Sequence, residues 1–252
     1  MTEPIFALKD IKTLVNRNTP NESMILKGIN LDIQAGDFIT IIGTNGAGKS
    51  TLFNVISGSL LPDSGTIYYK GKNITNLTAE KRSRFLSRVF QDPKLGTAPR
   101  MTVSENLLLA ARRGERRRLI PRGLKLHREE FAALAATMHN GLEKRLDTFT
   151  ENLSGGQRQA LSFLMATIKR PDILLLDEHT AALDPNTSAH LMAATNNRIT
   201  QDHLTALMIT HHLEDALRYG NRLLVLDNGK IIHDFKGAAK TDLTLSDLRK
   251  LI

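Results

Sequence analysis

The sequence lacks cysteine altogether, which excludes disulfide bridges and thiolate metal sites and agrees with a reducing compartment. Aromatic residues are also scarce, at 5% of the chain. No run approaches the roughly 20 apolar residues that a membrane-spanning helix needs. Residues 1–10 show no basic-then-apolar order of the kind that marks a signal peptide. We therefore expect a chain that stays in the cytosol.

What the sequence does have is length and positive charge. Its 252 residues, 41% of them hydrophobic, are enough for one large α/β domain with a sizeable core. Its 34 Lys and Arg residues against 26 Asp and Glu give a net charge of +8. A charge of this sign fits three kinds of partner, namely nucleic acid, an anionic membrane surface or an acidic protein.

Much of the charge lies in one irregular segment that glycine and proline interrupt. Its basic residues are Arg112, Arg113, Arg116, Arg117, Arg118, Arg122, Lys125 and Arg128. Three interpretations stay open: a solvated loop, contact with lipid head groups or with the cytosolic loops of a membrane partner, and nucleic-acid binding. The segment contains no aromatic residue on which bases could stack, and this argues against nucleic acid.

The most informative motif begins at Gly43 and follows the pattern G-x-x-x-x-G-K-[ST], between the apolar run 38–42 and a helix-forming stretch from Ser50. Glycines in such a loop free backbone N–H groups for the α- and β-phosphates. Lys49 reaches the β- and γ-phosphates, Ser50 ligates Mg²⁺, and the positive end of the helix adds to the attraction. The predicted nucleotide-binding residues here are Gly43, Thr44, Asn45, Gly46, Ala47, Gly48, Lys49, Ser50 and Thr51.

A second helix whose N-terminus we interpret as a phosphate contact is predicted to begin after Leu153. Ser154 and Gln157 have the spacing of a capping box, and we expect the helix to run to residues 169–170, before Pro171. Glycines in the first turn of a helix cost roughly 1 kcal/mol each relative to alanine. We interpret Gly155 and Gly156 as giving a phosphate access to bare N–H groups, beside the Ser154 hydroxyl. An ordinary helix cap is the alternative.

Apolar runs and turn signals predict the remaining organisation. Residues 29–33, 38–42, 66–69, 173–176, 206–209 and 223–226 are expected to be strands. Residues 78–152 are expected to be mostly helical, as an inserted subdomain. Asp227-Asn228-Gly229-Lys230 predicts a type I′ hairpin. The continuous apolar character of the later strands indicates a layered α/β sheet.

The order and spacing of these motifs resemble those of the ATP-binding cassette (ABC) ATPases over residues 5–235. The resemblance implies an α/β P-loop NTPase core with a layered, mainly parallel sheet, an antiparallel β subdomain and an inserted helical subdomain. Within a single domain spanning 1–252, residues 1–90 would carry the phosphate loop, 91–157 the helical signature subdomain, and 158–252 the rest of the core. The cofactors implied are ATP and Mg²⁺.

Two consecutive carboxylates have different predicted roles. Asp177 ends an apolar strand, where ligands of open α/β sheets bind, and can hold Mg²⁺ through water. Glu178 points the other way by strand alternation and can orient the attacking water as general base. By resemblance, His211 contacts the γ-phosphate, with His212 as a rival. Gln91 completes the Mg²⁺ and water arrangement.

The resemblance also implies an assembly. Two copies would face head to tail, so that Lys49 of one and the Ser154-to-Gln157 helix start of the other contact one ATP, with Asp184 in the neighbouring motif. Residues 91–106 would contact the membrane partner.

A narrower resemblance, carried by Arg88-Val89-Phe90-Gln91-Asp92-Pro93 and Asp177-Glu178-His179-Thr180-Ala181-Ala182-Leu183-Asp184-Pro185, is to bacterial importer ATPases encoded with branched-chain-type permeases. It implies permease subunits, indirectly a solute-binding protein, a peripheral place on the cytoplasmic side of the cell membrane, no nucleic acid, and amino acids or similar small solutes as cargo. An exporter subunit and a non-transport ABC protein acting on nucleic acid or ribosomes are the alternatives.

Four positions depart from the family pattern. Leu14 and Val15 lie where many relatives place an aromatic residue that stacks on adenine. His179 replaces the usual proline after the catalytic glutamate, and Ala181 replaces the usual serine. None of these changes removes a chemical group that hydrolysis needs, but base stacking is expected to be lost or replaced by aliphatic contact.

Overall fold

A computed structural model describes residues 3–16, 19–115 and 123–252. The strands, in chain order, are β1 (Phe6–Val15), β2 (Ser23–Ile33), β3 (Phe38–Ile42), β4 (Ser64–Tyr69), β5 (Lys72–Asn73), β6 (Leu86–Val89), β7 (Ile173–Asp177), β8 (Ala206–Ile209), β9 (Arg222–Asp227) and β10 (Lys230–Lys236). The α-helices are α1 (Lys49–Ser57), α2 (Ala79–Arg82), α3 (Val103–Ala111), α4 (Arg128–Ala136), α5 (Gly155–Thr167), α6 (Pro185–Gln201), α7 (Leu213–Arg218), α8 (Ala238–Thr241) and α9 (Leu245–Lys250). Short 3₁₀ turns cover Pro93–Leu95, Leu124–His127, Leu142–Arg145 and Thr150–Asn152.

The chain divides into two compact units. The first comprises Met1–Arg82 and His203–Ile252, and the second comprises Ser83–Asp202. The domain boundaries expected from the sequence, at residues 90 and 157, stay predictions.

The first unit contains an antiparallel sheet in the order β2-β1-β4-β5. It also contains β3, which pairs in parallel with both β8 and β9, while β10 pairs antiparallel with β9. Every residue of β3 and β8 is buried, which explains why these strands are continuous apolar runs rather than alternating ones. The predicted bounds of both strands, 38–42 and 206–209, are confirmed.

The hairpin between β9 and β10 is also confirmed. Asn228 and Gly229 both have positive φ, at 44° and 77°, as a type I′ turn requires. The turn pairs Lys230 with Asp227. Asparagine and glycine tolerate this conformation better than other residues, so two adjacent letters were enough to predict the turn.

The second unit contains β6 and β7 as a parallel pair, together with the helices α3 to α6. The expectation that residues 78–152 are mostly helical is wrong in part, because Leu86–Val89 forms a strand and loops and short turns separate helices α2, α3 and α4 in the described part of this range. Ser87 and Arg88 interrupt the apolar pattern of β6, and this hid the strand in the sequence. Helix α5 ends at Thr167, two to three residues before the predicted end at 169–170.

The fold class is confirmed, with parallel strands, an antiparallel sheet and a helical region around the predicted motifs. In the part of the chain that the structure describes, no helix has the length and apolar character to cross a membrane. Residues 116–122, which carry four of the eight basic residues of this segment, lie outside the described residues, so its three interpretations stay open.

Candidate active site

The phosphate loop connects buried β3 to helix α1. Gly43 has φ of 152°, and a Cβ placed there would lie 2.0 Å from the carbonyl oxygen of Leu226. Glycine is therefore required for space at this position. Gly48 caps α1 with φ of 101°, a left-handed conformation that β-carbon-bearing residues rarely adopt. The sequence thus folds into a tight turn that ends at the positive end of a helix.

Lys49 is the first residue of α1 and its side chain is buried. Its Nζ donates hydrogen bonds to the carbonyl oxygens of Gly43 and Thr44, at 2.7 and 2.8 Å. These two bonds hold the ammonium group over the backbone of the loop. Ser50 in the next position is exposed.

The structure brings His211 close to the phosphate loop. His211 follows β8 and lines a cleft of about 280 Å³ whose lining residues are Ile42, Gly43, Thr210, His211, Leu213, Arg249 and Ile252. His212 caps the start of α7, and its backbone N–H donates to Thr210 Oγ1 at 3.0 Å. Of the two neighbouring histidines, His211 is the one that shares this cleft with Gly43.

The second unit presents the two carboxylates at the end of β7. Asp177 is the last residue of the strand and is buried. Glu178 follows it with φ of 46°, which is strained for a residue with a side chain. The strand therefore ends at Asp177, and the chain changes direction at Glu178. Such strain concentrates at functional sites.

Sequence reasoning missed the partner of Asp177. Arg88 on β6 donates from Nη2 to Asp177 Oδ2 at 2.5 Å, and both side chains are 11% exposed. An arginine inside an apolar strand was a signal that could have been used, because a buried charge needs an opposite charge or carbonyls beside it.

His179 is a second residue whose position the sequence did not predict. It is buried, and its Nε2 lies 3.3 Å from Thr195 Oγ1 on α6. Burial lowers the pKa of His179 to about 4, so the ring is neutral near pH 7. The histidine that replaces the family's usual proline therefore packs inside the second unit rather than facing solvent.

The predicted capping box at the start of α5 is confirmed. Ser154 Oγ accepts from the Gln157 backbone N–H at 3.2 Å, and Gln157 Oε1 accepts from the Ser154 N–H. Gln157 Nε2 also donates to the carbonyl of Asn140. The predicted nucleotide-binding side chain of Gln157 is thus engaged within the unit, while Ser154 stays exposed.

The two glycines after Ser154 differ in what surrounds them. A Cβ on Gly156 would lie 2.5 Å from Thr187 Cγ2 on α6, whereas a Cβ on Gly155 would meet only Leu183, at 3.8 Å. Gly156 is therefore needed for close packing between α5 and α6. Phosphate access remains the interpretation for Gly155, which is exposed.

Two further predicted residues lie at element ends of the second unit. Asp184 is the N-cap of α6, and its Oδ1 accepts from the Thr187 N–H at 3.1 Å. This hydrogen bonding lowers the pKa of the Asp184 carboxyl. Gln91 is exposed and lies just after β6.

Each unit contains a hard oxygen donor of the kind that Mg²⁺ binds. The described residues contain no cluster of three or more His, Asp or Glu side chains that could enclose a metal ion. Mg²⁺ in nucleotide sites needs no such cluster, because one or two protein oxygens, water and the substrate phosphates complete its shell. The Ser50 hydroxyl and the Asp177 carboxylate are hard oxygen donors of this kind.

Comparison with known proteins assigns the family. The family model described as ABC transporter matches residues 26–181. The chain is 45% identical to a tyrosine transport ATP-binding protein of Clostridioides difficile, over 89% of each chain. It is 38% identical to a thiamine import ATP-binding protein of Photobacterium profundum, over 84% of this chain and 82% of that protein.

Solved structures agree with the sequence relatives. The fold is similar to the dimeric ATP-binding cassette MJ0796 in a post-hydrolysis state bound to ADP and Pi, with a TM-score of 0.78, 27% identity, and coverage of 92% of this chain and 98% of that one. It is also similar to the ADP conformation of the cassette MJ1267, with a TM-score of 0.79, 29% identity, and coverage of 98% and 97%. The chain with this phosphate loop and these carboxylates therefore belongs to the ABC transporter family, as an ATP-binding cassette with ATPase activity.

Proposed function

We propose that this cassette powers the import of a small organic solute, with amino acids as the favoured class. The observation that carries the proposal is the 45% identity, over 89% of both chains, to a protein named for tyrosine transport. Relatives named for thiamine import and for spermidine and putrescine import support the direction of transport. The cassette itself holds no cargo site in this proposal, so the solute is chosen by the permease and by a solute-binding protein.

In the proposed site, the phosphate loop binds ATP through the backbone N–H groups at the start of α1. Lys49 neutralises charge on the β- and γ-phosphates. Ser50 and Asp177 would hold Mg²⁺, with Gln91, and the ion would neutralise charge on the phosphates. Glu178 orients the attacking water and accepts its proton, and His211 donates to the γ-phosphate. Phosphoryl transfer needs little more than this positioning and charge stabilisation.

The proposed working unit is a homodimer on two permease subunits. Ser154 and the N–H groups of Gly155 and Gly156 would approach the γ-phosphate held by the other copy, with Asp184 nearby. A cassette named as dimeric among the similar structures supports this arrangement. Segment 91–106 would contact the permease on the cytoplasmic side of the membrane. Leu95 in that segment is 71% exposed, as an apolar residue awaiting a partner would be.

Uptake measurements in the source organism test this function. Cells that lack the chain should lose uptake of one labelled solute from a panel containing tyrosine, other amino acids, thiamine and spermidine. Complementation with the parent chain should restore uptake, and complementation with Glu178→Gln should not. Accumulation of a solute that normal cells expel would instead identify an exporter.

A further inference from the structure

We propose that Arg88 is a positioning residue that fixes the metal-binding carboxylate of Asp177, and that Phe90 and Gln159 fix Arg88 in turn. This inference rests on the proposed Mg²⁺ role of Asp177.

The register of the two strands places Arg88 beside the carboxylate. Arg88 pairs with Leu175 on the neighbouring parallel strand, and Asp177 lies two residues further along, on the same face. The guanidinium then reaches Asp177 Oδ2 at 2.5 Å. A charge-assisted hydrogen bond of this length holds one carboxylate oxygen and thereby sets the direction of the other.

The guanidinium is itself held in place by Phe90, the residue that follows β6. Its Cζ lies 4.8 Å from the centroid of the Phe90 ring, at cation–π distance. The carbonyl oxygen of Phe90 accepts a hydrogen bond from Gln159 Nε2 at 3.0 Å. Gln159 is buried on α5, the helix that Ser154 begins. A contiguous set of contacts within the second unit therefore leads from this helix to Asp177.

The opposite face of β6 offers an internal comparison. Ser87, the residue before Arg88, points to the other face, where it accepts a hydrogen bond from Arg113. Arg113 also donates to the carbonyl oxygen of Lys169 at 2.9 Å. Arg113 thus packs against the strand that carries Arg88, but on the face opposite to the Arg88–Asp177 contact.

Partners that orient a metal-binding side chain typically change metal affinity by 10–100-fold when removed. We therefore expect Arg88→Gln to weaken Mn²⁺ binding, about 10-fold, in the presence of a saturating non-hydrolysable ATP analogue. Mn²⁺ replaces Mg²⁺ here because free Mn²⁺ is measured directly by electron paramagnetic resonance. Binding of the analogue in EDTA should stay at the parent value, because Lys49 and the phosphate loop are unchanged.

Two milder variants keep the test decisive if Arg88→Gln folds poorly. Arg88→Lys keeps the charge without the planar fork, and we expect a smaller loss of Mn²⁺ affinity. Phe90→Leu removes the ring beneath the guanidinium and should weaken Mn²⁺ binding by about 2- to 5-fold. This second effect should disappear when it is measured in the Arg88→Gln background, which has no cation over the ring, and should shrink in the Arg88→Lys background.

Arg113→Gln is the matched control, since it is the same substitution at an arginine that contacts the other face of β6. It should lower the melting temperature and leave Mn²⁺ affinity within about 2-fold of the parent, as expected of a residue that acts only on stability. Unchanged or tighter Mn²⁺ binding in Arg88→Gln and Arg88→Lys overturns the inference. Asp177→Asn separates this failure from a wider one: if it also leaves Mn²⁺ affinity unchanged, the proposed metal role of Asp177 is wrong.

Discussion

Glu178 has a left-handed backbone conformation directly after a buried strand, with φ of 46°. A residue with a side chain loses about 1–3 kcal/mol in such a conformation, which the surrounding structure must offset. The turn separates Glu178, which is half-buried, from Asp177, which Arg88 holds. Two adjacent carboxylates thereby have different surroundings, as a division between metal binding and base catalysis requires.

Replacing the proposed base tests this division. Glu178→Gln should bind ATP as the parent does and hydrolyse it about 10²–10⁴-fold more slowly, because the amide cannot accept the proton of water. Nucleotide binding by calorimetry and phosphate release by a coupled assay measure the two effects. Lys49→Ala should behave differently and lose affinity for ATP, since it removes a charge aimed at the phosphates. Hydrolysis by Glu178→Gln at the parent rate would show that the assigned base is wrong.

At the scale of elements, the approach of α5 to α6 depends on one glycine. Gly156→Ala places a methyl group about 2.5 Å from Thr187 Cγ2 and should destabilise the fold by about 1–3 kcal/mol. Thr187→Ser removes the opposing methyl and should restore much of the loss in the double variant. Urea unfolding of the parent, both single variants and the double variant measures the coupling.

Gly155→Ala is the matched control, because a Cβ there has ordinary contacts. Its free energy of unfolding should stay at or above the parent value. Its ATP hydrolysis should fall, because the added methyl group hinders the approach of a phosphate of the other copy to the exposed N–H. A Gly156→Ala variant as stable as the parent would mean that α5 and α6 separate easily.

A buried lysine binds the backbone carbonyl groups that follow α7. Lys240 Nζ donates to the carbonyl oxygens of Tyr219 and Gly220, and burial lowers the pKa of Lys240 to about 8. The folded chain therefore releases this proton at lower pH than the unfolded chain, whose lysine has its usual pKa of 10.5. The neutral amine still has N–H donors for both carbonyls.

The sign of the pH dependence follows. Between about pH 8 and 10.5 Lys240 is protonated in the unfolded chain and largely neutral in the folded chain. The free energy of unfolding that Lys240 contributes therefore rises with pH across this range, and this gain is absent below pH 8. Urea unfolding at several pH values should show the parent gaining stability relative to Lys240→Met across that range. The exposed Lys250→Met is the control, and parallel curves for the parent and Lys240→Met would contradict the prediction.

We predict that residues at the end of β1 contact the base of the nucleotide. Leu14 and Val15 are half-buried there and pair with Met24 and Ser23 of β2. Aliphatic side chains contact a base without reading its polar edge, so we expect comparable affinities for ATP and GTP. Competition of each nucleotide against a fluorescent ATP analogue measures the ratio. A large preference for ATP would mean that other residues read the base.

At the scale of the whole molecule, the proposed site needs a second copy. The chain has one phosphate loop, and the helix start at Ser154, which we interpret as a second phosphate contact, is exposed. Glu178→Gln should therefore pass from monomer to dimer when ATP is added, because the complex forms and is not hydrolysed. Size-exclusion chromatography with light scattering measures the mass, and Ser154→Arg should prevent the shift. ATP binding without a change of mass would contradict dimerisation by the isolated subunit.

The sequence alone determined the local motifs. The phosphate loop, the capping box of Ser154 and Gln157, the Asn228-Gly229 hairpin and the apolar strands all depend on a few neighbouring residues. In these stretches local backbone preference and hydrophobic periodicity point to the same structure, so the predicted bounds of β3 and β8 agree with the observed ones. Spacing between the motifs then carried the resemblance to the ABC ATPases.

Only the tertiary structure decided which distant side chains meet. Arg88 and Asp177 are 89 positions apart, and Gly156 and Thr187 also lie far apart in sequence, so no local pattern relates them. Their contacts depend on the register of β6 beside β7 and on the approach of α5 to α6. Buried charge and close backbone packing are properties of neighbours in space, and this is why β6, the partner of Asp177 and the need for Gly156 were not predicted.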